Sequence, residues 1–387
     1  MRKKTFIFVA MLLYCFTTTQ IYASIRYVKP VSTGTGDGSS WANASGNLQA
    51  MIQASSSGDE VWVAAGTYKP THDPFGSTSP IDPRDKTFFV KDGVKIYGGF
   101  AGTETALSQR LITTNVTILS GDIGTVGVAT DNAYHVVLTS AASSGGVGVT
   151  IDGFTITGGN ANVSTNILVN SNIFARFNAG GVYTYYGTNT INNNTFSGNS
   201  ATNYGGGIFI IGGTNTISNN TLSGNSATNN GGGILTSIGT NTLSNNSLSG
   251  NSASLGGGIY ANNSTNTLSN NTFSGNSATN NGGGIYTNKT SGTPTNNFKN
   301  NIFWGNKKGT DTTIASADYY NNGATNSFTN NLMQFAPTSY MGTNYSLGSP
   351  TGNIFALDPL FVNAADLDGA DNIHRTADDG LRLKPCS

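Results

Sequence analysis

The amino-acid sequence predicts an all-β chain wound as a single-chain parallel β-helix, a solenoid entered through one short capping helix. Three observations carry this. The stretch from Gly180 to Asn306 is one unit written four times and then once more in degenerate form; its third copy reads GGGILTSIGTNTLSNNSLSGNSASL. The marker Asn199 recurs at Asn225, Asn251 and Asn276, a spacing of 26, 26 and 25 residues. A unit of that size cannot bury its own apolar face and needs a stacked neighbour, whereas a β-propeller blade would need about 40 residues or more. Finally, Ile, Leu and Phe keep their register from copy to copy. The 51 glycines and abundant Asn, Thr and Ser would otherwise suit a disordered tract, which has no reason to hold apolar positions in step.

The chain divides into residues 1–23, a signal peptide; 24–125, an N-terminal cap and the first coils; 126–310, regular repeats of about 26 residues; and 311–387, irregular coils with an acidic turn. Arg2, Lys3 and Lys4 precede an apolar run from Phe6 to Phe16, and Ile21-Tyr22-Ala23 supplies a small residue at the cut, so Ser24 is the expected mature start. The run is shorter than the about 20 residues of a membrane span. Tyr14 is too bulky for lipoprotein processing at Cys15. Only Cys386 then remains, so no intramolecular disulfide is available and stacking must hold the exported chain together. A net charge of zero, with 10% of residues charged, removes the electrostatic case for nucleic acid or an anionic membrane surface.

In chain order, SIRYVK at Ser24 to Lys29 alternates as a strand does. Asn47 to Ala54 is the one helix expected, with Leu48, Met51 and Ile52 on one face and Ser45 near its start. EVWVA, Glu60 to Ala64, is a strand, and Thr71 to Lys86 a Pro-rich charged loop. Short strands are expected at Thr87 to Val90, Val94 to Tyr97, Val116 to Leu119, Tyr134 to Leu138 and Val149 to Thr157. Asn162 to Asn178 should loop out before the array begins. Beyond it, Asn326 to Leu332 and Asn353 to Val362 still look like coil strands. The chain stops at Ser387 without a capping element, so a continuation into an anchoring or sorting region is expected.

Within one unit, Ile259, Leu268 and Phe273 point inward from three strands. Stacking then builds columns: Val182, Ile208, Ile234, Ile259 and Ile285; Phe196, Leu222, Leu248, Phe273 and Phe303; and a polar column of Asn199, Asn225, Asn251, Asn276 and Asn306 whose amides bond from coil to coil. Ala201, Ala227, Ala253 and Ala278 let the turn close. The Asn193-Asn194-Thr195 triplet and its copies at Asn219, Asn245 and Asn270 match a glycosylation acceptor, but recurrence at the repeat period favours a ladder or turn role.

The spacing FSGNSATNYGGGI, F-x-x-N followed by a Gly-Gly-x-aliphatic turn, resembles the repeat of the polymorphic outer membrane protein family over about a third of the chain. Leu replaces Phe in two units, and the family's GGA becomes GGG from Gly205 to Gly207 onward. The flanks GDEVWVAAGTYKP (Gly58 to Pro70), YGGFAGTET (Tyr97 to Thr105), IDGFTITGGNA (Ile151 to Ala161) and DPLFVN (Asp358 to Asn363) resemble exported bacterial right-handed parallel β-helix proteins of the pectin-lyase-like kind. These resemblances imply a right-handed winding and a secreted, cell-surface or outer-membrane address, with attachment through a region beyond the given chain. They imply no particular reaction.

Between Asp152 and Asp311 there is no Asp or Glu, and the basic residues up to Asn306 are Arg176, Lys289 and Lys299. A β-helix lyase or hydrolase needs carboxylates and a base, so the regular coils cannot supply one, and no catalytic residue is assigned there. The remaining candidates are His72, Asp73, Asp82, Arg84 and Asp85 in one loop and His135 in a strand; without motif spacing, a solvated loop and a core-edge histidine are the simpler reading. Asp366, Asp368, Asp371, Asp378 and Asp379, with Gly369 and Gly380, offer closely spaced oxygens for calcium, without the terminal Glu of an EF-hand. Tyr183, Tyr185 and Tyr186 are a possible sugar-stacking trio. The sequence thus points to a non-catalytic adhesive or structural stalk whose Asn, Thr and Ser surface meets glycans or host or cell-surface proteins, with a polysaccharide lyase or hydrolase as the alternative.

Overall fold

The computed structural model describes residues 23–143, 145–312, 315–335, 352–361 and 363. Short strands stack in parallel, coil upon coil, into long sheets. Among the described residues the first face runs from Ile25–Val28 through ten strands to Thr325–Thr329, and the second from Gly66–Tyr68 through ten to Ile354–Phe355. The third runs from Phe88–Lys91 through eight to Tyr319–Asn322, and a short fourth ladder from Asn160–Ala161 through six to Lys307–Lys308. One regular coil passes through Ile259–Asn262 on the third face, Thr265–Ser269 on the first, Thr272–Ser274 on the second and Ser277–Asn281 on the fourth.

The expected columns form. Val182, Ile208, Ile234, Ile259 and Ile285 lie in register and end on Tyr319; Phe196, Leu222, Leu248, Phe273 and Phe303 end on Met333. All are buried in one continuous core. Phe273 and Phe303 stack with ring centroids 4.8 Å apart, and Phe298 and Phe328 at 4.5 Å, so the strand spacing also serves ring stacking.

Buried asparagines form three ladders, where sequence reasoning placed one column. In the expected one, Nδ2 of Asn199 donates to Oδ1 of Asn225, and so on through Asn251, Asn276 and Asn306, at 2.9 to 3.0 Å. A second links Asn194, Asn220, Asn246, Asn271, Asn301, Asn331 and Asn353. A third links Asn189, Asn215, Asn241, Asn266, Asn296 and Asn326. In the first two ladders each rung also fixes the backbone: Asn251 donates to Leu222 O at 2.9 Å and accepts from the Asn225 backbone N–H at 3.0 Å. The turn between the first and second faces is made by Asn193, Asn219, Asn245, Asn270, Asn300 and Asn330 at φ of 54 to 57°, a left-handed conformation that Asn tolerates better than most side chains.

The third glycine of each triplet has a separate reason. A Cβ on Gly207 would lie 2.7 Å from Gly233 O, and one on Gly258 2.5 Å from Gly284 O, so an alanine there would push adjacent coils apart.

The helix Leu48–Ala54, capped by the Asn47 side chain, stands where an earlier third-face strand would be, against Phe88–Lys91. Buried Leu48 and Ile52 close the core there. Gln49 donates to Phe89 O at 3.4 Å and accepts from Phe89 N at 3.1 Å, satisfying the otherwise open sheet edge.

Three features differ from the sequence expectation. The excursion at residues 162–178 is an antiparallel hairpin, Asn166–Val169 with Asn172–Ala175, because Val169 and Phe174 cover the outer side of the third face. Tyr183 lies beneath it, 1% exposed, so it cannot join Tyr185 and Tyr186, which are partly exposed, in a three-ring platform for a sugar. A short helix, Ala315–Asp318, interrupts the last coils and puts Asp318 at the foot of the Asn199 ladder, accepting from Asn306 Nδ2 at 2.9 Å and Gln334 N at 3.2 Å. The signal peptide up to residue 22 and the tail from residue 364 lie outside the described residues.

Asn251→Ala, which deprives its buried neighbours of partners, should cost about 1 to 3 kcal/mol; Phe273→Ala should cost about 3 to 5 kcal/mol. Denaturant titration followed by circular dichroism checks both, and an unchanged midpoint for Asn251→Ala would mean the ladder contributes nothing. Burial raises the Asp318 carboxyl to about 7. The folded state therefore prefers the protonated acid, so its stability is greatest below the ordinary carboxylate range and declines as pH rises toward and through about 7. Melting temperatures at pH 5 and pH 8 should differ in that direction, and Asp318→Asn should largely remove the difference.

Candidate functional site

The loop carrying the candidate acids and bases forms one wall of a cleft of about 660 Å³. Lys69, Pro70, Thr71, Thr78, Asp82 and Arg84 line one side, with Ile123, Gly124, Thr130 and Asp131 opposite. Loops set this site because the coils here have no regular turn: the chain leaves the second face after Tyr68 and after Ser120 and returns only at Phe88 and Val137.

Most of the candidate side chains are engaged within the protein. Asp82 caps the short 3-10 helix Pro83–Asp85, with Oδ1 accepting from Arg84 N at 3.0 Å, and its Oδ2 accepts from the Tyr134 hydroxyl at 2.7 Å. Arg84 donates to Asn132 O and Asn160 O, each at 2.6 Å, and to Asn162 Oδ1 at 2.9 Å, with its guanidinium 4.1 Å from the centre of the Tyr134 ring. Asp85 forms a two-pronged pair with Arg176 at 2.6 and 2.7 Å, tying the loop to the hairpin. That hydrogen-bonded carboxylate holds the Arg176 pKa above its ordinary value. Burial, then the hydrogen bond to Asp82, pushes the Tyr134 phenol up to about 12.

The other candidates are equally local. Asp73 accepts from the Phe75 and Ser77 backbone N–H groups at 3.0 and 2.8 Å and shapes a turn. His72 Nδ1 meets the Thr71 hydroxyl at 2.7 Å. His135 is buried with Nδ1 2.8 Å from Ala179 O, which fixes that nitrogen as the donor. Burial pushes its imidazole down to about 4, so it stays neutral near pH 7. Asp82, Arg84 and Asp85 are thus brought together as a brace joining two loops and a hairpin, while His72, Asp73 and His135 stand apart.

Sequence reasoning missed Tyr134 and the Asp85–Arg176 pair, which spans 91 residues. It also missed the lysines of the cleft, Lys69 and Lys86, and Asp131 opposite them. The cleft can offer charge and hydrogen bonds to a polar chain. The proposed calcium ligands Asp366, Asp368, Asp371, Asp378 and Asp379 lie outside the described residues. Among the described residues no group of three or more His, Cys, Asp or Glu side chains could hold a metal.

The family model described as right handed beta helix region matches residues 201–333. The chain is a right-handed parallel β-helix. No curated relative matches its sequence. Among solved structures, the crystal structure of pectate lyase Pel9A is similar at 13% identity with a TM-score of 0.44, covering 95% of this chain and 90% of that one. Similarity at that level bears on neither activity nor site.

Asp85→Ala should leave the mostly buried Arg176 without a carboxylate and cost about 3 kcal/mol. Urea unfolding should show a lower midpoint, and limited proteolysis earlier cleavage in the hairpin. Unchanged unfolding and cleavage would show that the pair is not the brace.

Proposed function

We propose that this β-helix is a non-catalytic adhesive or structural stalk, secreted or held at the cell surface, whose Asn, Thr and Ser faces meet glycans or proteins of another surface. One observation carries the reading. From Thr188 to Asn306 the coils hold no carboxylate, and the buried asparagines of the three ladders bond to one another, leaving an outer surface of hydroxyls and amides on a rigid rod. The resemblance of the repeat to polymorphic outer membrane proteins supports a surface address.

A second reading, a polysaccharide lyase or glycoside hydrolase, is favoured by the cleft, where Lys69 and Lys86 flank a groove that also carries Asp131. Purified protein incubated with pectate and other acidic glycans should release no unsaturated or reducing ends. Measurable release, lost in Lys86→Ala or Asp131→Asn variants that still fold, would replace the stalk reading with the catalytic one. Changes at Asp82, Arg84 or Asp85 are less suited to that test, since they remove the brace.

A further inference from the structure

The outward side of the first face is a grid. Thr188 and Thr190, Thr214 and Thr216, Thr240 and Thr242, and Thr265 and Thr267 occupy equivalent positions in four successive coils. Thr295 with Asn297 and Thr325 with Ser327 extend it. Between each pair the asparagine of the Asn189 ladder points inward and locks the row, and the registers of these strands run without a shift. From Thr188 to Ser269 no outward residue of this face is charged or aromatic; the first charges met are Asp152, paired with Arg110 at 2.9 Å, at one end and Lys299 at the other. Among the described residues, the hydroxyls of these four threonine pairs make no hydrogen bond within the protein, and Thr188, Thr214, Thr216, Thr240, Thr242 and Thr267 are exposed.

The backbone sets the dimensions. Neighbouring strands lie about 4.8 Å apart and alternate residues along a parallel strand about 6.6 Å apart, so the threonines repeat in both directions within about a tenth of the water-oxygen repeats on the prism face of hexagonal ice. Each threonine brings a hydroxyl that anchors a water and a methyl around which water must keep its own hydrogen bonds. β-Branching leaves the side chain stiff, so little ordering remains to be done on contact. A discrete small ligand, by contrast, is held in a concave pocket with a few convergent polar groups, whereas the rows of this face repeat from coil to coil and suit an equally periodic surface.

We infer that the first face binds the surface of ice, ordering a water layer that a growing crystal can continue. The inference rests on this face alone and stands whether or not the rod is attached to a cell.

The test is nanolitre osmometry with ice-shape imaging, using the purified chain, Thr216→Lys, Thr242→Lys, and the control Thr279→Lys, which alters an exposed threonine of the fourth ladder. The original protein and the control should facet ice and open a gap between melting and freezing points. Both first-face variants should lose at least half of that gap while their melting curves and circular dichroism stay unchanged. A loss of folding in either lysine variant moves the test to Thr216→Val and Thr242→Val, which keep the shape and should give the same partial loss. Round, freely growing ice crystals with the original protein would overturn the inference, as would an equal loss in the control. Sedimentation with crystalline cellulose or chitin in the absence of ice shaping would also overturn it for this face, while leaving the adhesive reading standing.

Discussion

Everything in this molecule depends on a buried side-chain amide bonding to its copy one coil further on. An asparagine inside a β-helix has both a donor and an acceptor to satisfy, and the same asparagine one coil away recurs at the right distance to meet them, together with backbone groups of the neighbouring coils. Once one coil is placed, the next is held in register at three points of its perimeter, by the ladders of Asn189, Asn194 and Asn199. A slip of one residue would leave buried amides unpaired, at about 1 to 3 kcal/mol each, so register is specified far more strictly than by Ile, Leu and Phe alone. The repeat can therefore do without a disulfide.

That same constraint shapes the outside. Because inward asparagines and outward threonines alternate along a strand, a ladder that fixes the one fixes the other, and a chemically plain T-N-T sequence becomes an ordered surface. The ends are where the rule is broken. At the N-terminus a helix and the two-way bond of Gln49 to Phe89 close the stack. At the other end Asp318 takes the place of an asparagine and adds an ionisable group to a column otherwise built of amides. The irregular coils between Tyr68 and Val137 lack the ladders, and their loops are held by the Arg84 and Arg176 brace.

The fold was largely legible because period and apolar register survive copying: the Ile, Phe and Asn199 columns lie where the repeat puts them and the capping helix where its apolar spacing puts it, while the outlooping segment carries a hairpin that its sequence did not announce. The Asn189 ladder was hidden because asparagine between two threonines reads as surface, and only the turn geometry shows that it points inward. The Asn194 ladder was half visible, since a triplet recurring at the repeat period is better explained by a ladder or turn than by glycosylation. Candidate chemistry was less legible. A loop with Asp82, Arg84 and Asp85 looks like a site until Tyr134, Asn160 and Arg176 arrive from distant coils to occupy it, and no local spacing announces partners so far along the chain.

The most direct test of the ladders is hydrogen exchange of asparagine side-chain amides, measured by NMR on protein labelled selectively at asparagine. The Nδ2 protons of Asn220, Asn225, Asn241, Asn246 and Asn251 should exchange as slowly as the strand amides beside them, while those of the turn residues Asn219 and Asn245 exchange quickly. If the two sets exchanged at the same fast rate, the ladders would not be what holds the coils together.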